Sequence, residues 1–186
     1  MGKSSVSPFF FQVKDDLFFV SVSSFKSGWH SDRDQALIKF FFSLINQSKV
    51  ISSSTSKNNF LNPHIDNSHD KDRKYYRTLN LLYYVSPEWK LEYGGNLELW
   101  DTKVKKAIII PSTFNRLVIM ETNLHSWHSV NPVKHNRNRC CVSNYYFSET
   151  SPSKKDYFNV TSFSARPNQK IRRFFSAVDN FARNNI

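Results

Sequence analysis

Phe60-Leu-Asn-Pro-His64-Ile-Asp66-Asn-Ser68 is a short strand-like run that sets an imidazole and a carboxylate two residues apart. Successive side chains of a β-strand point to opposite faces, so His64 and Asp66 project from the same one. Side by side they can fill two positions of a 2-His-1-carboxylate facial site, which leaves one histidine to be found. Its place is expected on another strand downstream, and Ser126-Trp-His128-Ser-Val-Asn-Pro132 supplies it. A lone H-x-D arises beside any aspartate, so the surrounding sequence has to decide.

Outward from that run, residues 60 to 147 read as short strands broken by turns, the pattern of a barrel or sandwich. The expected strands are 60–66, 77–85, 96–100, 106–110, 115–120, 125–131 and 139–147. Gly94-Gly95 punctuates one turn and Pro111-Ser-Thr another. Upstream, residues 1 to 30 carry Phe-rich runs that suit one or two irregular strands, and Ser52 to Asn59 reads as a polar loop. Residues 33 to 47 read as a helix, with Ala36, Leu37, Phe40, Phe41, Leu44 and Ile45 on one stripe and Ser31 with Asp34 as its capping box. Past Pro152 the chain turns polar and then reads as a closing helix over about 167–183. There Ile171, Phe174, Phe175, Val178, Phe181 and Ala182 form an apolar stripe, and Pro167 suits the first turn. The fold class expected is mainly β: a double-stranded β-helix, or jelly roll, with a core over about 60–149 and supporting helices at the N-terminal side and the C-terminus. Residues 1–186 are read as a single domain, large enough for its own core.

Composition narrows the classes. The longest apolar runs, such as Phe9-Phe-Phe11 and Phe40-Phe-Phe42, are far too short to span a bilayer. Gln12, Lys14, Asp15 and Asp16 interrupt any secretory h-region, and Val6 stands where myristoylation wants Ser or Thr. Cys140 and Cys141 are the two cysteines, and neighbours on a strand face opposite sides, so no disulfide is expected between them. The chain reads as reduced and intracellular, with the cytoplasm as the default compartment. A net charge of +11 invites a nucleic-acid partner, but the 26 Lys and Arg are scattered in runs no longer than two. Diffuse solvated charge is the favoured reading.

The motifs in order resemble the Fe(II)/2-oxoglutarate-dependent dioxygenases, in their prolyl 4-hydroxylase-like group. They are His64-Ile-Asp66, Arg77-Thr-Leu-Asn-Leu-Leu-Tyr-Tyr84-Val, Trp89, Gly94-Gly-Asn-Leu-Glu-Leu-Trp100, Asn115-Arg-Leu-Val-Ile-Met120, His128-Ser-Val-Asn-Pro-Val133, and Arg139 leading to Tyr146-Phe147. The resemblance runs from about Phe60 to Glu149. It implies that His64, Asp66 and His128 hold Fe(II), with 2-oxoglutarate as cosubstrate, O2 as oxidant and ascorbate as a candidate reductant. His125 competes as distal histidine, but the H-x-V-x-P form of the family falls on His128. His69 and His135 read as loop residues. A basic residue on the last core strand binds the distal carboxylate of 2-oxoglutarate in the resembling enzymes. A guanidinium grips a carboxylate in two parallel hydrogen bonds, and Arg139 is taken over Arg137 for its distance to Tyr146-Phe147.

Strand parity puts Arg139, Cys141, Ser143 and Tyr145 on one face, and Thr78, Asn80, Leu82 and Tyr84 on another. Tyr84 resembles the tyrosine that binds the same carboxylate, and Asn80 is expected to line the pocket beside it. Some relatives place a second tyrosine about ten residues before the first iron histidine, where this chain has Ser54. Trp89, Trp100 and Trp127 are expected in core or rim packing, and Arg116 on a strand surface.

The activity implied is hydroxylation of a C–H bond of a second substrate, a prolyl residue or an amino-acid-like molecule, with release of succinate and carbon dioxide. The mixed-charge segment 67–76, with Tyr75 and Tyr76, and the Ser52–Asn59 loop are expected around the mouth. Two other classes compete: a cupin-like protein that binds a metal or small acid without turnover, and a basic nucleic-acid-binding module on the same barrel. The triad together with Arg139 argues against both.

Overall fold

Two antiparallel sheets face each other across an apolar interior. The computed structural model describes residues 20–24 and 50–184. In chain order the strands are β1 (Val20–Ser24), β2 (Val50–Thr55), β3 (Leu61–Ile65), β4 (Tyr76–Tyr84), β5 (Leu97–Trp100), β6 (Ala107–Ile110), β7 (Arg116–Glu121), β8 (His128–Val130), β9 (Arg139–Ser148) and β10 (Ser162–Phe163). A helix, α1 (Lys170–Asn184), follows. One sheet has the order β1-β7-β4-β9-β2 and the other β10-β3-β8-β5-β6. Every pairing is antiparallel, as the jelly-roll reading requires.

Alternation along the strands builds the core. On β4, Asn80, Leu82 and Tyr84 face inward, while Leu79, Leu81 and Tyr83 pack with Leu117, Ile119 and Tyr146 on the opposite face. The interior cluster joins Tyr84, Leu97, Leu99, Ile110, Val118, Met120 and Cys141. A fully buried aliphatic side chain of this kind contributes about 1.5–3 kcal/mol. Trp89 and Trp100 are buried, as expected of packing tryptophans.

Gly94 and Gly95 both take left-handed backbone, at φ 72° and 67°. A side chain at Gly94 would sit 2.0 Å from the Pro132 carbonyl oxygen, and one at Gly95 would press on the Arg139 stem at 3.2 Å. Both positions therefore need glycine, to bring the loop before β5 against the chain leading into β9.

Several expectations are corrected. Ser52 to Asn59 is not all loop: β2 runs to Thr55 and pairs with β9, Thr55 opposite Arg139 and Ser54 opposite Cys140. Its small polar side chains lie at a sheet edge, where backbone hydrogen bonding needs no apolar alternation. The closing helix begins at Lys170 rather than about residue 167, because Gln169 N–H bonds the Arg166 carbonyl and closes a turn around Pro167. Its apolar stripe is not buried: Ile171, Phe174, Phe175 and Val178 are 54–75% exposed. The expected helix over 33–47 lies outside the described residues. Among those described, no helix is long and apolar enough to cross a membrane.

Candidate metal and cosubstrate centre

β3 and β8 pair so that His64 stands directly opposite His128, their ring centroids 4.1 Å apart. Asp66 follows at the end of β3. The ligand atoms of all three residues lie within 4.8 Å of one another, and all three residues are buried. Asp66 Oδ1 is 3.6 Å from His64 Nε2, and Oδ2 is 3.9 Å from His128 Nε2.

Both imidazoles are oriented in the same way. His64 Nδ1 lies 3.0 Å from the Asn62 carbonyl and His128 Nδ1 lies 2.9 Å from the Ser126 carbonyl. An Nδ1–H donating to the backbone leaves the Nε2 lone pair for a metal, the arrangement usual for ligating histidines. Burial, and then the neighbouring His64, pushes His128 down to about 4, so its ring is neutral near pH 7. Burial alone would raise the Asp66 carboxyl. His64, His128 and Arg77 outweigh that and hold it well below the usual carboxylate range. Two imidazoles, each with its Nε2 turned to the same space, and one carboxylate form a donor set suited to a divalent transition metal.

Asp66 has further support. Asn80 Nδ2 donates to its Oδ2 at 3.4 Å, and Arg77 stands 3.7 Å away with its guanidinium 3.8 Å over the Tyr145 ring. Asn80 is thus buried on the inward face, as parity expects, with its amide turned to the carboxylate. Arg77 entered the sequence reading only as the start of a motif, since nothing in its spacing shows a contact with a residue before the intervening loop.

At the Tyr84 end of the same face of β4, Arg139 of β9 is 4% exposed and its guanidinium lies 4.9 Å over the Tyr84 ring. Among the described residues no carboxylate pairs with it. Among the described residues, Arg139 Nε and the Tyr84 hydroxyl, both buried, have no hydrogen-bond partner. Burial pushes the Tyr84 phenol above its usual range, with Arg139 opposing, so the hydroxyl stays a neutral donor. Arg137, by contrast, is exposed and donates to the Pro87 carbonyl at 2.9 Å. His125 is exposed too, and stands outside the histidine–aspartate group. Ser54 lies 3.9 Å from Cys140 Sγ, while Thr55 takes the position opposite Arg139.

His69 stands in the loop between β3 and β4, as expected, and is packed there rather than solvated. It is buried, its Nδ1 lies 2.8 Å from Ser68 Oγ, and its ring is 4.3 Å from that of Tyr76. Tyr76 in turn donates to Asp156, so it is engaged in packing this loop. His135 stacks on Tyr93 at 4.0 Å.

The family model of the 2OG-Fe(II) oxygenase superfamily matches residues 50–147, more than half of the chain. The chain belongs to that superfamily. No curated protein matches the oxygenase significantly. Among solved structures it is similar to a prolyl hydroxylase from Trichoplax adhaerens in complex with a hypoxia inducible factor peptide, at 20% identity and TM-score 0.48, covering 74% of this chain and 67% of that one. A prolyl-4-hydroxylase from Pseudomonas putida is similar at 17% identity and TM-score 0.45, covering 66% and 68%. A viral collagen prolyl hydroxylase from Paramecium Bursaria Chlorella virus-1 follows at 15% identity and TM-score 0.43, covering 69% and 78%.

The residues present fit the two groups that the superfamily's name implies. The imidazole–carboxylate set fits Fe(II). A buried guanidinium without a carboxylate, beside an unpartnered phenol, fits a small anion.

Proposed function

We propose that this oxygenase hydroxylates a C–H bond of a second substrate while converting 2-oxoglutarate and O2 to succinate and carbon dioxide. The observation that carries the reading is the placing of two complementary ends on one strand face. Asn80, which supports Asp66, and Tyr84, which supports Arg139, lie four residues apart on β4, roughly 13 Å along the strand. A five-carbon dicarboxylate fits between them, with one end at the metal and the other at Arg139.

In this reading His64, Asp66 and His128 would hold one Fe(II), where O2 would be the oxidant and 2-oxoglutarate would supply two of the electrons that reduce it. The chain supplies position. Arg139 and Tyr84 grip the distal carboxylate, and the apolar lining of Leu82, Val118, Met120 and Cys141 lowers the local dielectric, which strengthens that grip. The Cys141 thiol, pushed up to about 11 by burial, stays protonated and is no competing ligand.

For the second substrate we propose a prolyl residue in a peptide. What supports it is the resemblance of the motifs to prolyl hydroxylases, together with a mixed-charge loop over 67–76 from which Tyr75 remains exposed. Ascorbate would serve as reductant for uncoupled turnover. The test is anaerobic addition of 2-oxoglutarate to the Fe(II) protein, where a metal-to-ligand charge-transfer band is expected, followed by succinate assays with proline peptides. Coupled turnover should add the mass of one oxygen atom at proline. A band with succinate release but no such addition would discard the prolyl substrate and keep the oxygenase; absence of the band would discard the cosubstrate assignment.

A further inference from the structure

The chain beyond residue 147 lies outside the family match, yet it returns to the metal site. Asn159 Nδ2 donates to the Asp66 carbonyl at 2.9 Å. Four residues on, Phe163 of β10 pairs directly with His64 of β3. Directly opposed residues of an antiparallel pair share a face, so the phenyl ring lies beside the imidazole. Their centroids are 5.4 Å apart and the planes only 24° from parallel. His128 stands on the same imidazole at 4.1 Å. The His64 ring is therefore held by aromatic neighbours and by its Nδ1 bond to Asn62.

Phe163 is itself pinned. Asn180 of α1 accepts from Phe163 N–H at 3.2 Å and donates to its carbonyl at 2.8 Å, closing the outer edge of a two-residue strand. Arg166 then reaches β8, the third ligand's strand, at the Val130 carbonyl (3.3 Å), and the adjacent β5 at Glu98 (2.8 and 3.1 Å). Glu98 also accepts from Ser129, the neighbour of His128. Each strand that carries a ligand is thus touched by this segment. Apolar burial does not explain it: Phe163 is 39% exposed, and the apolar stripe of α1 faces outward.

We propose that residues 159–180 form a strap that positions the metal ligands, with Phe163 setting the plane of the His64 ring and Asn180 setting Phe163. This rests on reading His64, Asp66 and His128 as ligands. Phe163 and Asn180 act through His64 and are positioning residues.

The test is Co(II) titration of the metal-free protein, following affinity and the visible d–d bands. Orienting partners of a ligand typically change metal affinity by about 10–100-fold. Phe163→Ala is expected to weaken Co(II) by about tenfold on that scale and to shift the bands, with Phe163→Tyr restoring both. Asn180→Ala, at a half-buried site one contact further from His64, should move both in the same direction by less. Far-UV circular dichroism checks folding, and if Phe163→Ala does not fold, Asn180→Ala decides. Wild-type affinity and bands in both alanine variants would overturn the strap alone. A wild-type protein that binds no Co(II) would overturn the ligand assignment and the strap with it.

Discussion

Buried charge stands beside both ends of the inward face of β4, Asp66 after β3 and Arg139 on β9, and the two are treated in opposite ways. Around Asp66 the partners crowd: His64, His128, Asn80 and Arg77 all stand within 4 Å of its carboxylate. Around Arg139 there is an aromatic ring, a phenol and no carboxylate among the described residues. A buried ion without a partner costs several kcal/mol, so a fold retains one where something else uses it. The first end is preorganised to hold a cation through its own anion. The second has the character of an anion site, and the described residues provide no anion for it.

The largest effect that could break this contrast is at the metal end. His128→Ala should reduce 2-oxoglutarate-dependent succinate release to background, while His125→Ala should retain it. The reverse result would move the distal ligand. Next comes the anion end. Removing one partner of a buried charge pair costs on the order of 2–5 kcal/mol, so Arg139→Ala should raise the 2-oxoglutarate KM by roughly 30-fold or more. Co(II) affinity should be unaffected, and Arg137→Ala should change neither. A fall in metal affinity with Arg139→Ala would mean that the two ends are not separable.

A smaller effect is expected at Tyr84. A hydrogen bond to a charged group contributes about 1.5–3 kcal/mol, so Tyr84→Phe should raise the same KM by roughly 10–100-fold with kcat less altered. An unchanged KM would leave Arg139 as sole anchor. The smallest effect sharpens the electrostatics of the metal end. In the metal-free fold His128 is held down to about 4 from its ordinary 6.5, so the unfolded chain takes up that proton first as pH falls. Its contribution to stability is full above about pH 6.5 and is lost progressively toward pH 4. Asp66, also depressed, adds a loss only below its ordinary 3.8. Urea midpoints between pH 4 and 7 should show the slope, and His128→Gln should flatten it.

Much of the fold was legible because β4 to β9 alternate cleanly between turn residues. The reading 77–85 against β4 at Tyr76–Tyr84, and 139–147 against β9 at Arg139–Ser148, differ by a residue at the ends. β2 was not legible, since Val50-Ile51-Ser-Ser-Ser-Thr55 shows no alternating face and pairs only as an edge. β10 was beyond any periodicity, because two residues have none. The partnership of Phe163 with His64 was hidden for the same reason. Arg77 was hidden because a cross-strand and loop contact leaves no spacing in the chain.

The sequence by itself determined which faces the residues occupy. Parity put His64 beside Asp66, and Asn80 with Tyr84, because a strand has a period of two whatever surrounds it. Parity alone could not choose between His125 and His128, nor between Arg137 and Arg139; the order and form of the motifs favoured His128 and Arg139. The two arginines share parity, and the two histidines stand in a stretch too short for a period to be read. Pairing over long separations gives the members of each pair different surroundings. The register of β3 on β8 sets His128 opposite His64, and β9 begins at Arg139, which turns that side chain inward while Arg137 remains at the surface. Interstrand hydrogen bonds set that register, and they join residues whose adjacency exists only once the sheets have formed.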